Sequence, residues 1–543
     1  MKSIKKISIK VAAIIFLVIG QVGCDFDQHL DQQPLAQLSE STFWTSASDA
    51  KLALTGIYRV GNVGRVASTN EHLIMASYTD DSSYKFGSPG VIYAGYLNPG
   101  DGQVVGSIWN RAYQAIFRAN YFLENIDKVD MDSQEKAELT AEARFLRAYE
   151  YFYMSVLYGG VPLITNVLTV EEANTQSRNS LQEVQNFSIN ELSEAAQDLP
   201  VSRPDDEKGR ILKAAALAVQ GRLLMIQEKW GEAADTYKQI IDLNEHIIDP
   251  RFKALFTVEG EGSKEIILHA NHIAGLYGNS KSQKNYHPAI YGGYQEDNAF
   301  QNLVDAFLME DGLPIEESPL YDPENPFENR DPRIYETLFL PGYTEFEGQL
   351  YPNDPNFVIV NLHGATGYGW KKYIRENYSG DTFSSGDDIV HIRYAEVLLS
   401  YLESKIENGD NITQNLLDET INEVRSREAV DMPPVIETNR DELREIVRRE
   451  RRVEFALERL IRYMDIRRWD IFMDVMNRQF YGMKITDDPE NYDGGYEVET
   501  SGKYRGHYKV IDRTGHYQPY HKRIPIPLSE IDINPNLEQN PGY

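Results

Sequence analysis

The stretch "LKAAALAVQGRLLMIQEKWGEAADTYKQIIDL", residues 212–243, limits what the chain can fold into more than any other. It divides at Lys229–Trp230 into two helical halves, with Gly221 in the first and Ala233 and Tyr237 in the second. Small residues there let paired helices approach closely, and the spacing resembles that of a tetratricopeptide repeat. One such pair cannot bury its own apolar face, so others are expected to stack against it, with candidates at 107–158 and 391–428. In the first, Ala141, Phe145, Ala148, Tyr149, Phe152 and Val156 recur at steps of three and four, one face of a helix of about 20 residues. Asp132 with Glu135 is a capping-box pattern at its start, and Gly159, Gly160 and Pro162 stop it.

Residues 244–388 have another texture, broken by prolines from Pro250 to Pro355 and by many glycines. Strand-like runs remain at 265–270 and 356–362. This region, and another from 479 to 543, read as loop-rich insertions on the helical scaffold, where binding residues are commonly carried. The arginine-rich segment 443–472 is interleaved with Glu445, Glu450, Glu454, Glu458 and Asp465. Glu445/Arg449 and Glu458/Arg462 stand four apart beside an apolar stripe of Ile446, Val453, Leu457, Leu460 and Met464, so it reads as a packed, salt-bridged helix pair. Nucleic acid is not an expected partner, because the formal charge of −29 repels phosphates.

The N-terminus adds a location. Lys2, Lys5, Lys6 and Lys10 precede the apolar run 11–19, which is too short to span a bilayer core that needs about 20 residues. Gly23 then stands directly before Cys24, the one cysteine of 543 residues, in the layout of a bacterial lipoprotein signal. Residues 1–23 are expected to be a signal peptide, Cys24 a lipidated N-terminus, 24–34 a tether and 35–543 a single helical domain. Acyl chains on Cys24 hold such a domain at a membrane with no spanning helix.

Catalytic and nucleotide motifs such as H-E-x-x-H, G-x-S-x-G and the P-loop are absent. The 11 histidines lack metal-ligand spacing, so neither a metal nor a cofactor is expected, and a non-enzyme is the leading reading. What stands out is tyrosine, at 34 against 21 Phe and 5 Trp. Sugar rings stack C–H faces on aromatic side chains while their hydroxyls seek polar partners. Tyr78, Asp80, Asp81, Tyr84, Tyr93, Tyr96 and Asn98 fall in one long loop, and Tyr277, Tyr286, Tyr291 and Tyr294 in another. These are the ligand-binding candidates, with Trp370 beside them; Lys281, Lys284, Lys371 and Lys372 are candidate local cation sites.

Taken in order, "CDFDQHLDQQP", "TFWTSASDAKLALTGIY", "IWNRAYQAIFRANYFLENI", "ARFLRAYEYFYMSVLYGGVPLI", "RDPRI", "IVHIRYAEVLLSYLES", "INEVRSRE", "RRERRVEFALERLIRYMDIRRWD" and "RIPIPLSEIDINPNLEQNPGY" resemble the SusD/RagB family, surface lipoproteins with which Bacteroidetes capture nutrients, chiefly glycans. The resemblance implies a mainly α fold, with four tetratricopeptide-like helix pairs supporting a loop-rich ligand face. It also implies a lipid anchor on Cys24 facing the cell exterior, no catalysis, and a SusC-like TonB-dependent outer-membrane transporter as partner. Only the location of the ligand site carries over: the loop before "IWNRAYQAIFRAN" and the inserted loops between about 270 and 375. Glycan capture is the leading function; peptide capture on the same architecture, a surface glycoside hydrolase and a purely structural lipoprotein are the alternatives.

Overall fold

The computed structural model describes residues 43–61, 78–84, 97–100, 105–359 and 365–543. The signal peptide, Cys24 and the tether lie outside the described residues, as do Tyr93 and Tyr96. In chain order the first elements are α1 (Ala47–Val60), β1 (Ser82–Tyr84), α2 (Ser107–Asn125), α3 (Ser133–Leu157), α4 (Leu181–Asp198), α5 (Lys213–Ile226) and α6 (Trp230–Asp242). Then come β2 (Ile266–Ala270), β3 (Asp297–Ala299), β4 (Leu338–Phe339), β5 (Tyr368–Trp370), β6 (Ile389–Arg393) and α7 (Tyr394–Glu407). The last are α8 (Gln414–Asp418), α9 (Ile421–Arg425), α10 (Arg440–Glu454), α11 (Ile461–Arg468), β7 (Gln479–Lys484), β8 (His507–Asp512) and α12 (Leu528–Ile533).

The helices form a stack in which α1 packs on α2, and each helix from α2 to α6 on the next. Their ends follow local chemistry. The Asp132 carboxylate accepts from the main-chain N–H groups of Gln134 and Glu135, both at 3.0 Å, and Gly159 takes φ +86° just beyond α3. α4 begins with a reciprocal box, Ser180 and Glu183 each capping the other's N–H. α5 and α6 part around Lys229–Trp230 as the spacing predicts, and a Cβ on Gly221 would lie 2.5 Å from the Tyr237 ring. That contact is why the pair needs glycine there. Arg222 of α5 then forks onto Glu396 of α7 at 2.7 and 2.6 Å, tying the stack to its next helix.

Beside the stack, β1, β3, β5 and β4 form a four-stranded sheet in that order, with a second hydrophobic core around Phe339, Trp370 and Tyr368. β2 pairs with β6, and β7 with β8. The chain is therefore mainly α with a sheet-bearing, loop-rich side. Several expectations fail locally. Residues 355–358 are a helical turn rather than the start of a strand, because Asp354 caps it and Pro355 suits the first turn. The second half of the helix pair expected at 391–428 breaks into α8 and α9, and the loop-rich 479–543 contains the β7–β8 pair.

The arginine-rich segment changes most. Leu457 and Leu460 take φ +66° and +64°, so α10 and α11 are separated by a sharp bend. Glu445 pairs with Arg448 rather than Arg449, and Glu458 turns inward to Lys372 (2.7 Å) and Arg393 (2.8 Å). Around it runs a buried charge network. Glu454 pairs with Arg333 (2.8 Å), Arg393 (2.6 Å) and Arg427 (3.2 Å); Glu265 pairs with Arg393 and Arg427; Glu450 pairs with Arg333 and Arg425. Every one of these side chains is almost fully excluded from water, so breaking a pair strands a charge at a cost of about 3–5 kcal/mol.

Burial pushes the Glu450, Glu454 and Glu458 carboxyls up, but the cations around them win and hold all three below their ordinary values. The unfolded chain then takes up protons before the folded one, so the stability these groups contribute is full above their ordinary value of 4.5 and is lost as pH falls below it. We expect a melting temperature that changes little between about pH 7 and 8 and falls by roughly 10 °C or more between about pH 5 and 3.5. Calorimetry across that range checks it, and an acid limb that stays flat contradicts it.

Candidate functional site

Because Ala270 of β2 lies opposite Ile389 of β6, the segments after Ala270 and before Ile389 leave the same end of that ribbon. Polar side chains clip them together. The Asp388 carboxylate accepts from the His272 main-chain N–H at 2.7 Å and meets His269 Nδ1 at 2.8 Å. Asn279 and Ser385 exchange main-chain bonds of 2.8 and 3.0 Å. Asp387, fully buried, accepts from Ser282 Oγ and Gln283 Nε2, both at 3.0 Å, and pairs with Arg375 at 2.9 Å. Two glycine- and serine-containing loops are thus held as one rigid body.

That body presents an apolar, aromatic surface. Leu276 is 85% exposed, Ile273 58%, Phe383 55% and Tyr294 41%. Contiguous exposed apolar groups of this kind mark contact surfaces. Tyr294 and Phe383 meet at 6.1 Å and 65°, forming a corner, and Lys284 Nζ sits 4.6 Å from the first ring and 5.2 Å from the second while donating to the Gly292 carbonyl at 2.8 Å. Tyr277 stacks on His272 at 5.6 Å and 13°. Burial lowers the His272 pKa, which keeps its imidazole neutral at pH 7. Such a surface offers ring faces for C–H groups and an ammonium donor at their junction. Among the described residues no group of three or more His, Cys, Asp or Glu is placed to hold a metal.

The sequence-predicted residues divide sharply. Tyr277 and Tyr294 belong to this surface, and Tyr291 lies half-buried nearby against Phe346 at 5.2 Å. Asn98 is exposed, its side chain accepting the Gly100 N–H in a tight turn at 2.9 Å. Tyr93 and Tyr96 lie outside the described residues. The rest require correction, because they are interior. Asp80 accepts from Arg462 (2.8 and 2.9 Å) and Arg478 (3.0 Å) and pairs with Arg452 (3.1 Å), while Asp81 takes Arg452 Nε at 2.7 Å. Burial raises the Asp80 carboxyl, but Arg452, Arg462 and Arg478 overcome it and hold it well below the usual range. Tyr78 packs edge-on to Tyr463, Tyr84 and Tyr286 sit in the second core, and Trp370 is wholly buried with Nε1 directed at Asp297 (3.3 Å).

Of the lysines, Lys281, Lys371 and Lys372 are buried, the last against Glu458; Lys284 alone of the four joins the aromatic corner. Phe383 is the residue that sequence reasoning missed. Its signal was an isolated phenylalanine in "SGDTFSSGDD", a run too polar to be core.

The chain matches two family models, one described as the SusD family over residues 264–543 and one as starch-binding associating with outer membrane over residues 29–225. A SusD-like carbohydrate binding protein from Bacteroides fragilis, known from its crystal structure, is 35% identical, with a TM-score of 0.84 covering 92% of this chain and 100% of that one. A SusD-like protein of Formosa agariphila is 24% identical over 98% of this chain and 99% of its own length. A laminarin binding SusD-like protein, 21% identical with a TM-score of 0.68 over 92% of this chain and 100% of that one, shares the fold.

The clip predicts its own failure. Replacing Asp387 by Ala removes acceptors from Ser282, Gln283 and Arg375, at a cost of about 1–3 kcal/mol. Hydrogen exchange is expected to quicken in 275–286 and 378–388 while α5 and α6 keep their protection. Uniform loosening of both regions contradicts a local role.

Proposed function

The chain belongs to the SusD family, and on that footing we propose that it is a non-catalytic lipoprotein that binds glycan at the cell surface and passes it to a SusC-like TonB-dependent transporter in the outer membrane. The carrying observation is the exposed Tyr294–Phe383 corner with Lys284 at its junction, on loops clipped by Asp387 and Asp388. Ring faces held at a fixed angle suit the C–H faces of a saccharide, and preorganisation lowers the ordering cost of binding. The carbohydrate-binding relative from Bacteroides fragilis supports the ligand class. The starch-binding description of one family model and a laminarin-binding protein of the same fold support it from further away, and the outer-membrane wording of that family model supports the location.

The other parts of the reading rest on the sequence. Cys24 is the anchor, placed by the signal-like segment before it. Tyr93 and Tyr96 remain candidate contacts on the sequence reading alone.

Affinity electrophoresis through gels of neutral polysaccharides, with reducing ends assayed in parallel, tests the proposal. One glycan is expected to retard the protein with no new reducing ends, and Phe383→Ala or Tyr294→Ala to weaken that retardation about tenfold, the loss of roughly 1.4 kcal/mol of stacking. Retardation unchanged in both variants contradicts the site. Released sugar contradicts the non-catalytic reading.

A further inference from the structure

A second cleft lies beyond the other end of the four-stranded sheet. Tyr294 precedes β3, whereas Gln301 and Asp305 follow it, and these two help line a cavity of about 960 Å³ together with Tyr321, Tyr343, Lys503 and Tyr504. That volume lies at the upper end of the range for small-molecule sites. None of its lining residues belongs to the Tyr294–Phe383 surface.

Its chemistry has two parts. Aromatic rings come from separate segments, each backed by another ring: Tyr343 stacks on Tyr335 at 5.2 Å and 21°, and Tyr504 on Tyr481 at 4.4 Å and 27°. Tyr343 is 39% exposed, so one face is available, while Phe327 meets its edge at 6.2 Å. Backing rings fix the orientation of the exposed ones. The charges, by contrast, are largely spent on one another. Lys503 pairs with Asp305 at 2.9 Å and with Glu316, Lys484 pairs with Asp487, and Arg505 pairs with Glu490 at 2.6 Å. Tyr504 donates its hydroxyl to Asp305 at 3.1 Å. Arg330 stiffens the wall by donating to the carbonyls of Val304 (2.7 Å), Phe307 (2.8 Å) and Pro326 (2.9 Å).

Paired charges give a lining rich in donors and acceptors without a strong field of one sign, which disfavours an ionic ligand. Fixed rings with one open face favour a ligand that is apolar on one side and hydroxylated at its edge. We propose that this cleft is a second saccharide-binding site, for a neutral oligosaccharide segment, separate from the Tyr294–Phe383 corner. It shares only its ligand class with the proposed function. Two sites on one chain let a long polysaccharide bind at both, so affinity for polymer exceeds affinity for a short fragment by effective concentration alone.

The test uses the full-length chain in detergent, with laminarin, amylopectin, xyloglucan and galactomannan in the gels, followed by calorimetric titration of the retarding polymer and of its trisaccharide. Tyr343→Ala and Tyr321→Ala are expected to weaken polymer binding about tenfold, with Tyr343→Phe restoring it and the melting temperature unchanged. In the Phe383→Ala background, trisaccharide binding that persists and is then abolished by Tyr343→Ala places sugar in the cleft. Polymer affinity unchanged in both tyrosine-to-alanine variants overturns the second site and leaves the first standing. Retardation by none of the four polymers overturns both.

Discussion

Glu454 is the residue on which the rest of the structure depends. Its carboxylate receives Arg333, Arg393 and Arg427 in a region closed to water, and Glu265, Glu450 and Glu458 extend the network to Arg425 and Lys372, with Asp331 completing the partners of Arg333. Five carboxylates thus meet five cations. Buried charge is tolerated only when such matching is complete, so the network forces its contributors into one arrangement. They come from β6, α9 and α10 and from the segments just after α9 and α10, before β2, before β4 and after β5. A second knot, Asp80 and Asp81 against Arg452 of α10, Arg462 of α11 and Arg478 before β7, pins the start of β1 to the helices on both sides of the bend. The loop-bearing side is therefore mounted on the helical stack by electrostatics as well as by apolar packing.

This explains what the arginine-rich segment is for. Most of its charges from Glu450 onward are paired inside the molecule, and the chain as a whole carries a formal charge of −29 that does not attract polyanions. It also separates two uses of aromatic residues. Trp370, Tyr84 and Tyr286 build the second core, and Tyr294, Phe383 and Tyr343 reach solvent from loops which that core supports. Rings on a fixed base can hold a ligand without a large entropy cost of ordering, which is what the proposed binding role asks of a helical stack with little chemistry of its own.

Local signals in the sequence were readable wherever local physics decides. The Asp132 cap, the division at Lys229–Trp230 and the contact of Gly221 with Tyr237 all depend on residues close along the chain or on helical period. The same reasoning failed for Glu458 and Arg462, which stand four apart but find partners at Arg393 and Asp80. An i,i+4 spacing states what is possible on a helix; here the deeper network wins and bends the chain at Leu457 and Leu460. The site was half legible. Loop composition singled out Tyr277 and Tyr294, which do lie on the candidate surface, but Asp80, Asp81 and Trp370 look equally ligand-like until their partners are seen, and those partners lie tens to hundreds of residues away. Phe383 was overlooked because one phenylalanine among serines and glycines makes no pattern.

On the proposed function, glycan meets fixed aromatic loops while the charge network stays closed. A crystal structure of the chain with a bound oligosaccharide tests it most directly. A sugar ring is expected against Tyr294 and Phe383, its hydroxyl within reach of Lys284, with the pairs of Glu454 unchanged. A sugar bound among Asp80, Asp81 and Trp370, with those ion pairs opened, would contradict it.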